Sequence, residues 1–113
     1  MKNILKLLMS MSFLSNSQTK KFVENDNTAV FTTKYVITEN KEITKVYHDI
    51  EDGSWQFFSN DKYENYEKVA MIVTLAQIIK KDTTLLEISD LPVGYYAIRK
   101  SKVQKWIIKK NVQ

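Results

Sequence analysis

The chain has 113 residues, enough for one domain with a single core, and its 43% apolar and 27% charged content is that of an ordinary folded protein. It has no cysteine, which excludes a disulfide framework and thiolate metal or redox chemistry, so stability has to come from packing. The formal charge of +4 is unevenly spread: residues 39–67 carry eight acids against three lysines, whereas after Asp90 there are six basic residues and no acid.

In residues 1–17, Lys2 and Lys6 flank Ile4, Leu5, Leu7, Leu8, Met9 and Leu14. That run is too short to cross a bilayer, which takes about 20 apolar residues. It reads as an amphipathic or loosely attached extension, with a cytoplasmic protein as the result. The alternative is a signal peptide cut near Ser15 or Ser17 and an exported protein, although Lys6, Ser10 and Ser12 interrupt the apolar stretch. Residues 1–20 are accordingly set apart from a folded domain over residues 21–113.

Residues 28–38 are β-branched and aromatic, with Phe31, Tyr35 and Ile37 on one face by period two, and they predict a first strand. Residues 42–48 alternate Ile43, Lys45 and Tyr47 against Thr44, Val46 and His48. With Glu39, Asn40 and Lys41 as a hairpin-length connection, the two runs are expected to pair antiparallel. Glu51, Asp52 and Gly53 supply the next reversal, since glycine adopts positive φ at no steric cost.

A strand over residues 54–59 follows, with Trp55 and Phe57 on one side and Phe58 on the other, and residues 69–75 are apolar in both registers. Both are expected to be covered on both faces. Leu75, Ile78 and Ile79 have helical spacing, Asp82, Thr83 and Thr84 are expected to cap a second helix, with Thr84 and Glu87 as a capping box, and its Leu85, Leu86 and Ile88 face the sheet. Pro92 ends the helical part. Residues 95–99 and 105–108 return to strand, the latter with Trp106 and Ile108 on one face. The fold expected is α+β, an antiparallel β-sheet with one or two short helices packed on it.

Catalytic constellations are missing from the pattern. His48 is the sole histidine, which removes multi-histidine metal sites and leaves any serine triad dependent on it. Asp49, Glu51 and Asp52 resemble the start of a calcium loop, yet the twelfth position holds Asn60 instead of glutamate. Gly53 and Gly94 stand alone, so there is no phosphate-binding glycine loop. The expectation is a protein that is not an enzyme and uses no cofactor or metal.

Several segments in order resemble the immunity protein 33 family of small bacterial α+β domains. These are residues 30–36, 46–49, 52–59 and 75–78, then Asp82, Leu85, Leu91, Pro92, Val93, Gly94 and Arg99. The most specific are the Asp-Gly-x-Trp-x-Phe run at Asp52 to Phe57 and the Leu-Pro-x-Gly lead into Arg99. The resemblance covers roughly residues 29–99 and carries no catalytic residue. It implies a protein that binds and neutralises a bacterial toxin. An acidic, aromatic surface would serve that role by steering a basic partner and holding it on buried aromatics. The residues expected to form it are Asp49, Glu51, Asp52, Asp61, Tyr63, Glu64, Tyr66 and Glu67.

Two other readings remain open. One is a small housekeeping domain with a ligand in a sheet-edge pocket. The other is a nucleic-acid-binding module using Lys105, Trp106, Lys109 and Lys110, which the strand-face position of Trp106 argues against.

Overall fold

The structure is a computed structural model that describes residues 20–112. Six strands form one sheet: β1 (Ala29–Thr33), β2 (Lys45–His48), β3 (Trp55–Phe58), β4 (Ala70–Thr74), β5 (Tyr95–Ile98) and β6 (Ile107–Lys110), in the spatial order β4-β1-β3-β2-β5-β6. All neighbours are antiparallel except β1 and β3, which run parallel with Phe31 opposite Gln56. Three short α-helices accompany the sheet, α1 (Lys34–Ile37), α2 (Tyr66–Val69) and α3 (Leu75–Lys81), together with a 3-10 turn over Thr83–Ile88. The fold is α+β.

One face of the sheet is the core. Val30, Val46, Trp55, Phe57, Val73 and Ala97 alternate onto it from five strands. Val36 of α1, Leu75 and Ile78 of α3, and Leu85 and Ile88 of the 3-10 turn close over them, with Phe22 set edge-on to Trp55 at 4.9 Å. Among the described residues, no helix is long and apolar enough to cross a membrane.

Helix ends obey local chemistry. Thr74 accepts from the Gln77 amide to start α3, and Asp82 accepts from the Thr84 amide to start the 3-10 turn. Asp82 is thus the cap, and the expected Thr84–Glu87 capping box does not form. Thr84 instead accepts from Arg99 at 2.8 Å.

Several expected strands are redrawn. The run at residues 28–38 stays extended only to Thr33, because turning helical at Lys34 drives Val36 into the core; packing overrides weak β propensity. Its expected antiparallel partner, β2, lies two places away, with β3 between them. A helical turn and Asn40 at φ 56 replace the hairpin bend and carry the chain across β3's position. β4 is an edge strand with Ile72 64% exposed, not a doubly covered one. β3 is central as expected, with Trp55 and Phe57 buried, but its Phe58 side is open. The last strand begins at Ile107, which leaves Trp106 before it rather than on a strand face with Ile108.

The segment at residues 1–17 lies outside the described residues. Lys20, the first described residue, brings its ammonium to 3.0 Å from Asp90.

Candidate functional site

Strand pleating makes the second face of the sheet a surface in its own right. Register alone aligns Ile72, Phe31, Gln56, Tyr47, Tyr96 and Lys109 in one row across all six strands. Tyr47 and Tyr96 stack at 5.3 Å with an interplanar angle of 21°. Phe58 lies 6.0 Å from Tyr47 and meets Tyr66 edge-on at 5.7 Å, and Tyr63 is 5.9 Å from Tyr66. The buried residues of α1, α3 and the 3-10 turn belong to the opposite side, whereas α2 brings Tyr66 to this one, and Phe31, Tyr47, Phe58, Tyr63 and Tyr66 line an open groove of about 620 Å³.

The groove has a carboxylate at each end. Asp52 stands where the acidic turn enters β3, held by the Ser54 amide at 2.9 Å, and that hydrogen bond pulls its pKa below the usual aspartate value. Asp61 stands where the chain leaves β3, accepting from the Ser59 hydroxyl at 2.7 Å. The residues 54–59 between them make about 16 Å of strand at roughly 3.3 Å per residue. Lys45, Gln56 and Asn111 complete the lining. Burial raises the phenol pKa of both Tyr47 and Tyr66, with neighbouring phenols adding to it.

Of the eight residues expected to form a partner surface, the groove brings together Asp52, Asp61, Tyr63 and Tyr66. Asp49 is not part of the lining; it accepts from the Glu51 amide at 2.7 Å, capping the turn, and from the Gln56 side-chain amide at 3.5 Å. Glu51, Glu64 and Glu67 are exposed outside the lining, and Glu67 belongs to α2, where its amide is capped by Asn65. Phe31, Lys45, Tyr47, Gln56 and Phe58 were missed. The available signal was their alternation: Lys45 and Tyr47 flank buried Val46, as Gln56 and Phe58 flank buried Phe57.

The other polar clusters are structural. His48 directs Nδ1 to the Leu91 carbonyl at 2.6 Å and stacks on Trp55 at 3.9 Å. Trp55 Nε1 donates to Glu24 at 2.9 Å. Trp106 lies 3.9 Å from the Arg99 guanidinium, half-buried as a cation–π partner, and its face is therefore occupied. Among the described residues there is no group of three His, Cys, Asp or Glu side chains able to hold a metal ion.

Fold and groove together define a small α+β domain with one packed and one open sheet face. No family model, curated protein or solved structure matches the chain.

Proposed function

We propose that this protein is a non-enzymatic binding module of the immunity type, which takes a positively charged segment of a protein toxin into the open-face groove. The observation that carries the reading is the placing of Asp52 and Asp61 at opposite ends of an aromatic floor. Carboxylates supply a negative potential that speeds encounter with a basic surface, and the flat faces of Tyr47, Tyr63 and Tyr66 favour the cationic head and aliphatic stem of an arginine or lysine. The resemblance to immunity protein 33 supplies the toxin as the class of partner.

The same aromatic floor suits stacked bases, but phosphates would have to approach two carboxylates, which weighs against single-stranded nucleic acid. The Arg99 guanidinium already covers Trp106, the one ring in the lysine-rich tail.

The test is co-expression with a secreted toxin encoded beside this gene, scoring growth. The wild-type chain should rescue, and an Asp52→Lys, Asp61→Lys double variant that keeps its melting temperature should not. Full rescue by the double variant, or the absence of any neighbouring toxin gene, overturns the reading. Tight binding to a mixed oligonucleotide that weakens steeply with salt would replace it with the nucleic-acid one.

A further inference from the structure

Beside the groove, on the same open face, lies a second recess of opposite charge. Lys45, Ile98 and Ile107 are register neighbours across β2, β5 and β6, and above them Lys100, Gln104 and Lys105 rise from the connection between β5 and β6. Together with Thr44 and Asn60 they enclose about 360 Å³, and no acidic side chain lines it. That volume falls within the range of small-molecule sites, roughly 300–1,000 Å³.

Three observations define what fits. First, no carboxylate of the described residues comes within 4.0 Å of the Lys45, Lys100 or Lys105 ammonium, so their charge is not neutralised by an ion pair. Lys100 also borders a neighbouring recess with Glu42 and Asp61, but at longer range. Secondly, the Thr44 hydroxyl donates to Asn60 Oδ1 at 2.9 Å, which orients that amide and leaves its nitrogen as a donor at the rim. Thirdly, the wall is aliphatic: Ile107 is 55% exposed, although it lies beside a charged strand end. Arg99 contributes only wall, since its N–H groups are all turned to partners inside the domain.

The geometry points to a binding pocket for a small amphipathic anion, with its carboxylate or phosphate head at Lys100, Lys105 and the Asn60 amide and its apolar body along Ile98 and Ile107. The head meets charge-assisted donors, while the body covers aliphatic surface that water otherwise wets. The pocket stands independently of the toxin reading. It shares only Lys45 with the groove, and Lys45 is left unchanged in the test.

The experiment is an amide and methyl NMR titration of the full chain with octanoate, octyl phosphate, inorganic phosphate and octylammonium. Octanoate or octyl phosphate should give saturable shifts confined to Thr44, Asn60 and residues 98–107, with a Kd of about 1 mM or tighter. The tighter of the two identifies the head. A Lys100→Glu, Lys105→Glu variant should bind about tenfold or more weakly with an unchanged melting temperature, and Ile107→Ser should weaken the octyl compounds selectively. Three results overturn the proposal: no saturation by either octyl anion, equal shifts with octylammonium, or inorganic phosphate binding as tightly as octyl phosphate.

Discussion

Asp82 takes the shortest of the hydrogen bonds that Arg99 makes, 2.6 Å from Oδ2 to Nη2, with both side chains nearly withdrawn from water. The other four N–H groups of Arg99 go to the Ile43 carbonyl twice, the Thr84 hydroxyl and the Lys102 carbonyl. One guanidinium thereby ties the loop before β2, the start of the 3-10 turn and the connection after β5. Removing one partner of such a pair strands a buried charge, which costs about 3–5 kcal/mol. Asp82→Ala should lose that much in a urea melt, its cost including the lost cap on Thr84. Arg99→Lys should also be clearly destabilising, because an ammonium cannot reproduce the planar fork. A lysine variant as stable as the parent would contradict this account.

Trp55 is anchored by a polar contact as well as by its area. Its indole donates to Glu24, whose second oxygen is buried with no partner among the described residues. Trp55→Phe should therefore cost more than the change in packed volume, by about 1–3 kcal/mol, since the Glu24 carboxylate loses its donor. Combining Trp55→Phe with Glu24→Leu should recover part of the loss. Strict additivity of the two changes in a double-mutant cycle would mean that the contact contributes nothing.

How far the sequence carries this architecture depends on how local each signal is. The reversal at Gly53, φ 71, and the strand after it are legible because a positive-φ glycine and period-two alternation act within a few residues. The same holds for α3, written in Leu75, Ile78 and Ile79. The break at Lys34 is not legible. Tyr35, Val36 and Ile37 favour strand on their own, and only the core position waiting for Val36 decides for helix. Nor is the insertion of β3 between β1 and β2, since a parallel pairing of distant segments leaves no local mark. The groove was half readable for this reason: its acidic ends and Tyr63 and Tyr66 belong to one stretch of chain, whereas Phe31, Tyr47 and Lys45 join it only through register.

Alkaline pH should loosen the open face. Burial holds the Tyr47 and Tyr66 phenols above their ordinary value of 10.0, so the folded state keeps these protons longer than the unfolded chain does. The stability they contribute is intact below pH 10 and is lost as pH rises through their folded pKa values. Ultraviolet titration should find the Tyr47 and Tyr66 phenols ionising above pH 10.0. Tyr47→Phe should make the alkaline fall in stability shallower, and an unchanged slope would count against the burial of that ring.

Acid has the opposite sign at Asp52. The Ser54 amide lowers its pKa beneath 3.8, so the turn's contribution is present above that value and declines as pH drops through the lower folded one. NMR of the side-chain carboxyl should show Asp52 still ionised where an ordinary aspartate is half-protonated. Ser54→Pro, which removes the donor amide together with the serine hydroxyl, should move the titration up toward the ordinary midpoint. If the midpoint does not move, some other group stabilises the charge.

The two edges of the sheet are defended unequally. β6 ends in Lys109 and Lys110, charges that discourage another strand from pairing. β4 reads Ala-Met-Ile-Val-Thr, without a charge, a proline or a bulge in its pairing to β1, and Ile72 is 64% exposed on it. A short, apolar, β-prone edge of this kind is where partly unfolded chains would associate on heating. Ile72→Lys should lower light scattering during a thermal ramp while shifting the melting temperature little, because that side chain is mostly in water and loses few contacts. The control is Ile108→Lys at the lysine-rich edge, which should change scattering far less. If the two substitutions suppress aggregation equally, net charge and not the exposed β4 edge is responsible.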